Sequence, residues 1–273
     1  MKKRLITGLQ YAVLSITALI LLFPLWYALA VSLETAAETM AYPPRFIPGG
    51  LYWEAYRQAL ATAPVLRFIA NSFLVSGIVT AGQLVTASLA AYAFTFMRFP
   101  GRQVLFYGFL ATMMIPWEAT IIPNYFTIKN LNWLDTFQGL AAPFLATAFG
   151  TFLLRQSFMT LPQALNDAAR IDGCGHFRFF ATMVLPLSRP ALATLAVYAF
   201  LTTYNQYLWP LLVTNTDSMR TVQIGLAMLQ WDQSLSWNSM MAGVILVSLP
   251  TAILLIAGQK QLVRGLTAGA VKG

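Results

Sequence analysis

From Leu161 to Pro186 the chain reads LPQALNDAARIDGCGHFRFFATMVLP, a polar, amphipathic island between two long apolar segments. Asp167, Arg170, Asp172 and Arg178 put four charges into it. Lipid does not tolerate such a run, so it must lie in water or against another protein. Its side chains do not add up to catalytic machinery. His176 is the sole histidine and Cys174 the sole cysteine, which leaves no His-based metal cluster or triad. No G-x-x-x-x-G-K-[S/T] phosphate loop occurs, so the chain cannot hold ATP in that manner. A lone His beside Phe177 reads as a surface or interface residue. The chemistry left is recognition: ion pairs from the carboxylates, and an aromatic helix carrying Phe177 and Phe180 for a groove on a partner.

A second polar group, Thr202, Thr203, Tyr204, Asn205, Gln206 and Tyr207, interrupts an apolar run. Polar residues inside a membrane usually face a bundle interior or a cavity. Residues on a helix are about 100° apart, so all six cannot share one face. Thr203 and Tyr207 align at i, i+4 with Gln206 beside them, and Asn205 points elsewhere. Solute contact is favoured for Gln206 and Tyr207; for Asn205, contact and helix-to-helix hydrogen bonding stand level. Pro210 is placed to break the helix and expose carbonyls. Glu118, after Pro116-Trp117, is either a solvated charge at the outer edge or a pore group, with the edge favoured. Asn71, Gln83, Thr86 and Ser88 are weaker pathway candidates, and Gly77, Ala81 and Gly82 suit close helix packing.

These groups need an apolar scaffold, and the composition supplies it. Apolar residues make up 58% of the 273 positions and charged residues 10%, against about 45–50% and about 25% in soluble domains. Six stretches meet the length of about 20 residues that a spanning helix needs: 8–32, 69–95, 103–124, 138–159, 190–213 and 239–258. Pro116 and Pro123 make the third the least regular. The expected fold is an all-α integral membrane protein, a single domain over 1–273.

Twelve of the 17 Lys and Arg fall on one side of these spans: Lys2, Lys3, Arg4, Arg98, Arg102, Arg155, Arg170, Arg178, Arg189, Lys260, Arg264 and Lys272. Arg45, Arg57, Arg67, Lys129 and Arg220 fall on the other. The positive-inside rule makes the first side cytoplasmic, with both termini there. The pI near 9.8 is thus a matter of topology, not of nucleic acid. Lys2-Lys3-Arg4, an apolar run and Ala28-Leu29-Ala30 imitate a signal peptide. The run is much longer than a signal core of about 7–15 residues, which favours an uncleaved first helix.

Outside the spans, Leu51–Leu60 reads as an interfacial helix, and 214–238, with Asp217, Arg220, Asp232 and two Trp, reads as a loop open to an outside partner, with no specific motif. In the island, Pro162 suits a first helical turn. Leu165, Ala168 and Ala169 share one face with Asp167 and Arg170 off it. Gly173 and Gly175 break the helix around Cys174. A second short helix over 176–184 follows, ended by Leu185-Pro186. Composition leaves a mere cover for the bundle and a lever for a soluble partner about even.

Asp167-Ala168-Ala169-Arg170-Ile171-Asp172-Gly173 followed by Leu185-Pro186 resembles the E-A-A-x-x-D-G … L-P loop of ABC importer permeases, with Asp167 for the usual Glu and Cys174 where Ala is common. Asn71, Phe99-Pro100-Gly101-Arg102 and the tail Arg264–Gly273 resemble the maltose-type, carbohydrate-uptake group. Phe152–Pro162, Asn205–Leu212 and Trp237-Asn238-Ser239 look most like the permease of glycerol-3-phosphate importers. The resemblance implies six spans and a coupling helix that docks on ATPase subunits through Asp167, Ala168, Ala169, Asp172, Gly173, Cys174, His176, Phe177 and Phe180. It implies a non-catalytic subunit of a bacterial inner membrane importer. The partners would be a second permease, two ATPase subunits that bind the ATP and Mg, and an extracytoplasmic binding protein. This chain itself would hold no cofactor. The expected solute is glycerol-3-phosphate or a glycerophosphodiester; the alternative is maltose, trehalose or a similar saccharide. A six-span channel or secondary carrier is the rival of another class, and neither needs the Asp167–Pro186 loop. No basic residue falls clearly at mid-membrane, so a phosphate-bearing solute would need its cation from a partner.

Overall fold

The computed structural model describes residues 2–231 and 236–267. Asp232 and the last residues of the 264–273 tail lie outside the described residues. The described chain is helical throughout. α1 runs Lys2–Ser32, α2 Ala36–Thr39, α3 Glu54–Thr62 and α4 Val65–Phe96. α5 covers Arg102–Thr112, α6 Trp117–Asn130, α7 Phe137–Ala141, α8 Ala148–Met159 and α9 Gln163–Ile171. α10 is His176–Phe179, continued by a π-turn over Phe180–Val184 and by α11, Leu185–Leu187. α12 is Arg189–Tyr204, α13 Leu208–Val213, α14 Val222–Trp231 and α15 Trp237–Thr267.

Among the described residues, three helices are long and apolar enough to cross a membrane: Ile6–Ser32 within α1, all of α4, and Trp237–Gln259 within α15. Three bent pairs qualify together: α5 with α6 at 95°, Phe137–Phe144 with α8 at 48°, and His176–Leu187 with α12 at 78°. Counting each pair as one span gives six. The expected third span, 103–124, is therefore two helices separated at Met113–Pro116. Pro116 has extended backbone (ψ 138°) before α6, and a proline disfavours the α region for the residue before it. Pro123, by contrast, is carried inside α6. The expected fifth span, 190–213, is broken at 205–207. The region 214–238, read as a loop, contains α14.

Contacts sort the chain into two compact units, Met1–Leu66 with Gly225–Pro250 and Arg67–Ile224 with Thr251–Gly273. In the first, a capping box starts α2: Thr35 accepts from the Glu38 amide while the Glu38 carboxylate accepts from the Thr35 amide. Arg45 pairs with Glu38 at 3.1 Å. The Thr35 hydrogen bonds, helped by Arg45, hold the Glu38 carboxyl below its ordinary value. Ala55 and Ala59 of α3 bury against Ala242 of α15; small residues allow such a close approach of helices.

The second unit has two cores. One joins Ala87, Ala91 and Tyr92 of α4 to Leu154 and Phe158 of α8, Ala169 of α9, Phe179, Phe180 and Val184 of the α10 region, and Leu195 of α12. The other joins Val75 and Val79 of α4 to Ile121 and Ile128 of α6, Leu140 and Ala141 of α7, and Trp209 and Val213 of α13. α4 spans both. It is 32 residues long, about 48 Å at 1.5 Å per residue, longer than a hydrocarbon core of about 30 Å.

Candidate functional site

The island folds as helix, glycine turn, helix. Pro162 precedes α9, where a missing N–H costs nothing. α9 ends in a complete Schellman closure: the Cys174 amide donates to the Ala169 carbonyl at 2.8 Å and the Gly173 amide to the Arg170 carbonyl at 3.1 Å. This closure requires a left-handed residue at Gly173, whose φ is +70°. A side-chain carbon there would meet nothing within 4 Å.

After the turn, α10 is tied to α4. The Tyr92 hydroxyl lies 2.9 Å from His176 Nδ1 and donates to the His176 carbonyl at 3.1 Å. Phe180 packs edge-on to Tyr92, centroids 5.1 Å apart, and Phe179 packs edge-on to Phe96 at 5.4 Å. Tyr92 thus clamps the second helix of the elbow by ring and hydroxyl together.

Burial divides the candidate coupling residues. Asp167, Ala168, Asp172, Gly173, His176 and Phe177 are exposed, with Phe177 at 79% and the neighbouring Ile171 at 86%. Ala169 and Phe180 are buried in the first core of this unit, and Cys174 packs at its edge. Of Leu165, Ala168 and Ala169, expected on one helical face, Ala169 is buried and the other two are exposed. Phe177 and Phe180 do not share a face: Phe177 points out and Phe180 in. The helix also does not end at Leu185-Pro186. It continues to Leu187 and turns only at Ser188. The π-turn explains this, since the Leu185 amide reaches back five residues to the Phe180 carbonyl. That widened turn relieves the clash a proline ring makes with the preceding turn.

The pathway candidates separate too. α12 stops at Tyr204, and Asn205, Gln206 and Tyr207 lie in an unwound link before α13. The helical register that would set Thr203 beside Tyr207 is therefore not continued. Thr203 is buried and donates to the Ala199 carbonyl at 2.8 Å. Tyr204 is buried against Phe73 and Phe200. Tyr207 is 43% exposed, Gln206 is half-buried, and Asn205 is exposed. Asn205 donates to the Leu201 carbonyl at 2.8 Å and accepts from the Gln223 amide group at 3.2 Å.

The link is held by an aromatic nest. Trp209 is buried and donates from Nε1 to the Gly139 carbonyl at 3.1 Å. Trp117 packs on Phe144, centroids 4.6 Å apart, and edge-on to Trp209 at 5.8 Å. Position 139 must be glycine, because a Cβ there would collide with the Trp133 carbonyl. Pro210, in the first turn of α13, has no N–H for the Gln206 carbonyl four residues back. Glu118, next to Trp117, is exposed in the first turn of α6, where the helix dipole favours a carboxylate.

Asn71 is buried, and its amide group donates to the carbonyls of Ser218 and Arg220, both at 2.9 Å. Arg67 donates to the same Ser218 carbonyl, and Ser72 accepts from the Val222 amide. Asn71 thus staples the 214–221 segment to the start of α4. Asp135, at φ +54°, holds the same segment from the other side. Its carboxylate accepts from the Asn215 and Thr216 amides at 2.7 and 2.9 Å. Burial raises the Asp135 carboxyl, but these bonds and those from the Asn215 and Thr216 side chains outweigh it, and the net shift is downward. Among the described residues, no three His, Cys, Asp or Glu side chains gather closely enough to hold a metal ion.

Two features escaped the sequence. Tyr92 lies in an apolar run with nothing to mark it as a clamp. Glu34 is 2% exposed, and its carbonyl accepts from the Asn238 amide group at 2.7 Å. Burial, reinforced by Glu38 against the pull of Arg45, raises its carboxyl above the ordinary value. Its neighbours Ser32, Leu33 and Thr35 give no pattern that would announce burial.

Residues 83–268 match the family described as the binding-protein-dependent transport system inner membrane component. The chain belongs to this family. The permease is 38% identical over 265 positions, 94% of each chain, to the sn-glycerol-3-phosphate transport system permease protein UgpE of Brucella suis. It is 38% identical over 275 positions to the protein of the same name from Rhizobium meliloti, covering 97% of the permease and 98% of that chain. Among solved structures, it superposes on a chain of a bacterial ABC transporter involved in import of the acidic polysaccharide alginate. The TM-score is 0.83 at 24% identity, covering 95% of the permease and 97% of that chain. A chain of the alginate transporter in complex with its pentasaccharide-bound periplasmic protein gives 0.67 at 13% identity, covering 94% of each. These likenesses show that the permease has the ABC importer permease fold, as its island motif implied.

Proposed function

We propose that the permease forms one half of the solute pathway of an ATP-driven importer for glycerol-3-phosphate or a glycerophosphodiester. The observation that carries this is 38% identity along 94% of both chains with a glycerol-3-phosphate transport permease. The elbow supports the mechanism. Asp167, Asp172, Phe177 and Ile171 stand exposed around a rigid turn, a mixed charged and apolar surface suited to a protein groove. A second permease completes the pathway, two ATPase subunits dock on the elbows and bind the ATP and Mg, and an extracytoplasmic binding protein delivers solute. The permease carries no catalytic role.

Within the second unit, residues 67–72, 135 and 214–222 meet at one end, and residues 95–102 and 158–170 meet at the other. This agrees with the alternation behind the positive-inside assignment and favours cytoplasmic termini. ATP-dependent closure of the ATPase pair moves α10, the Tyr92 clamp passes that motion to α4, and the bundle rocks between inward-open and outward-open states. Gln206 and Tyr207 of the unwound link contact the solute. The phosphate group takes its cationic partner from the second permease or the binding protein.

The test is the assembled importer in proteoliposomes, with labelled glycerol-3-phosphate offered against maltose and trehalose. Gly173→Asp places a charge in open space beside the turn and is expected to abolish solute-stimulated ATP hydrolysis and uptake. Unchanged transport by this variant defeats the docking role. Uptake of a disaccharide in preference to glycerol-3-phosphate reassigns the solute without touching the elbow.

A further inference from the structure

Three adjoining cavities sit where α4 turns into α5 beside the elbow. One, of about 600 Å³, is lined by Arg98, Phe99 and Arg102. The next, about 330 Å³, runs from Arg98 and Arg102 to Asp167 and Arg170 of α9. The third, about 270 Å³, is lined by Arg102 and Arg155 above Phe94, Phe106, Leu110 and Phe152. Four arginines, Arg98, Arg102, Arg155 and Arg170, therefore line three cavities that share Arg102, and the one carboxylate among the lining residues is Asp167. Among the described residues, the ion pairs are Arg45–Glu38, Arg57–Glu54 and Arg220–Asp217, and none involves these four arginines.

The guanidinium groups are partly oriented by neutral partners. Arg102 donates to the Met97 carbonyl at 2.9 Å. Arg155 lies flat over Phe106, 4.1 Å from the ring centroid, and its Nε reaches the Phe94 carbonyl at 3.5 Å. Positions on charged nitrogens are left over for an acceptor, and arginine is the side chain best shaped to grip a phosphate oxygen pair. The third cavity then turns apolar, and Val104, Leu105 and Tyr107 alongside it are 75%, 58% and 62% exposed. Charge at the mouth and hydrocarbon below is the profile of a lipid, not of a free ion.

We propose that Arg98, Arg102 and Arg155 form a site for the phosphodiester headgroup of an anionic phospholipid in the leaflet on the elbow's side, with an acyl chain along Phe106, Leu110 and Phe152. Basic pockets between spanning helices bind headgroups of this class. The site shares its second cavity with Asp167 and Arg170, so an occupied headgroup braces the base of α9. It rests on the membrane-spanning fold and is independent of the solute.

The test uses the intact importer, purified in detergent and titrated with phosphatidylglycerol, phosphatidylcholine or inorganic phosphate, and read by native mass spectrometry. Wild type is expected to retain phosphatidylglycerol and not phosphatidylcholine. Retention should weaken about fivefold for each of Arg98→Gln, Arg102→Gln and Arg155→Gln, and Arg57→Gln, in α3 of the first unit, should leave it unchanged. Should Arg98→Gln or Arg155→Gln fail to accumulate, Arg102→Gln alone carries the comparison, since Arg102 lines all three cavities. Equal retention by wild type and Arg102→Gln overturns the site. Displacement of phosphatidylglycerol by millimolar phosphate overturns the lipid assignment in favour of a free anion. Failure of the intact wild-type importer to retain phosphatidylglycerol overturns the proposal equally.

Discussion

Tyr92 makes one side chain answerable for the seating of a whole helix. Its hydroxyl serves the His176 carbonyl and ring nitrogen, while its ring meets Phe180. Tyr92→Phe keeps the ring and removes the hydroxyl, a loss of about 1 kcal/mol in a typical hydrogen bond. The expected outcome is an importer that assembles and hydrolyses ATP but moves less solute per ATP. Measurement of uptake and hydrolysis on the same vesicles decides it, and an unaltered ratio removes Tyr92 from the coupling route. Asp135 offers a prediction in pH. Its carboxyl is held below the ordinary value of about 3.9, so its stabilisation of the 214–221 segment is complete above that value. It is lost as pH falls through the lower folded value. Exchange protection of the Asn215 and Thr216 amides should therefore drop on acidification below about pH 4, and Asp135→Ala should lack protection at every pH.

Among the elements, those built by local backbone chemistry were legible. Pro162 and Gly173 specify the elbow through their own φ preferences, and the elbow is there. Long apolar runs declared α1, α4 and α15 for the same reason, because solvation by lipid is a summed property. The breaks were less legible. Position 116 carried a proline that hinted at one, but the link at 205–207 is set by the Trp117, Phe144 and Trp209 nest and by Gly139, far apart in sequence. α14 was missed because polar residues flank it. The inward turn of Phe180 was missed because spacing does not say which face of a short helix is covered. The unwound link carries its own prediction. Gln206→Ala with Tyr207→Ala should raise the KM for solute about tenfold, the equivalent of one lost polar contact, and leave subunit assembly intact. Unchanged uptake kinetics would exclude both as contacts.

At the scale of the molecule, burial is uneven. The most apolar window of α1 contributes nothing to the interior, only Ala30, Val31 and Ser32 at its far end being buried, and that of α4 contributes one third. A chain with so much uncovered apolar surface is solvated by lipid or by another subunit. Family membership, the elbow and the lack of a phosphate loop together predict that the purified chain alone in liposomes moves no solute, with or without ATP. Transport should return only when its partner subunits are co-reconstituted. Solute flux through the isolated chain would show a self-sufficient channel or carrier and end the importer assignment.

The length of α4 has one more consequence. Asn71 and Ser72 fasten one end, Tyr92 fastens the other, and roughly 30 Å of unbroken helix lies between them. A stiff beam pinned at both tips works as a see-saw: neither tip tilts without the other. In the importer proposed above, arrival of a loaded carrier protein would then be felt at the engine without any messenger, and a stalled engine would in turn hold the door at the far tip.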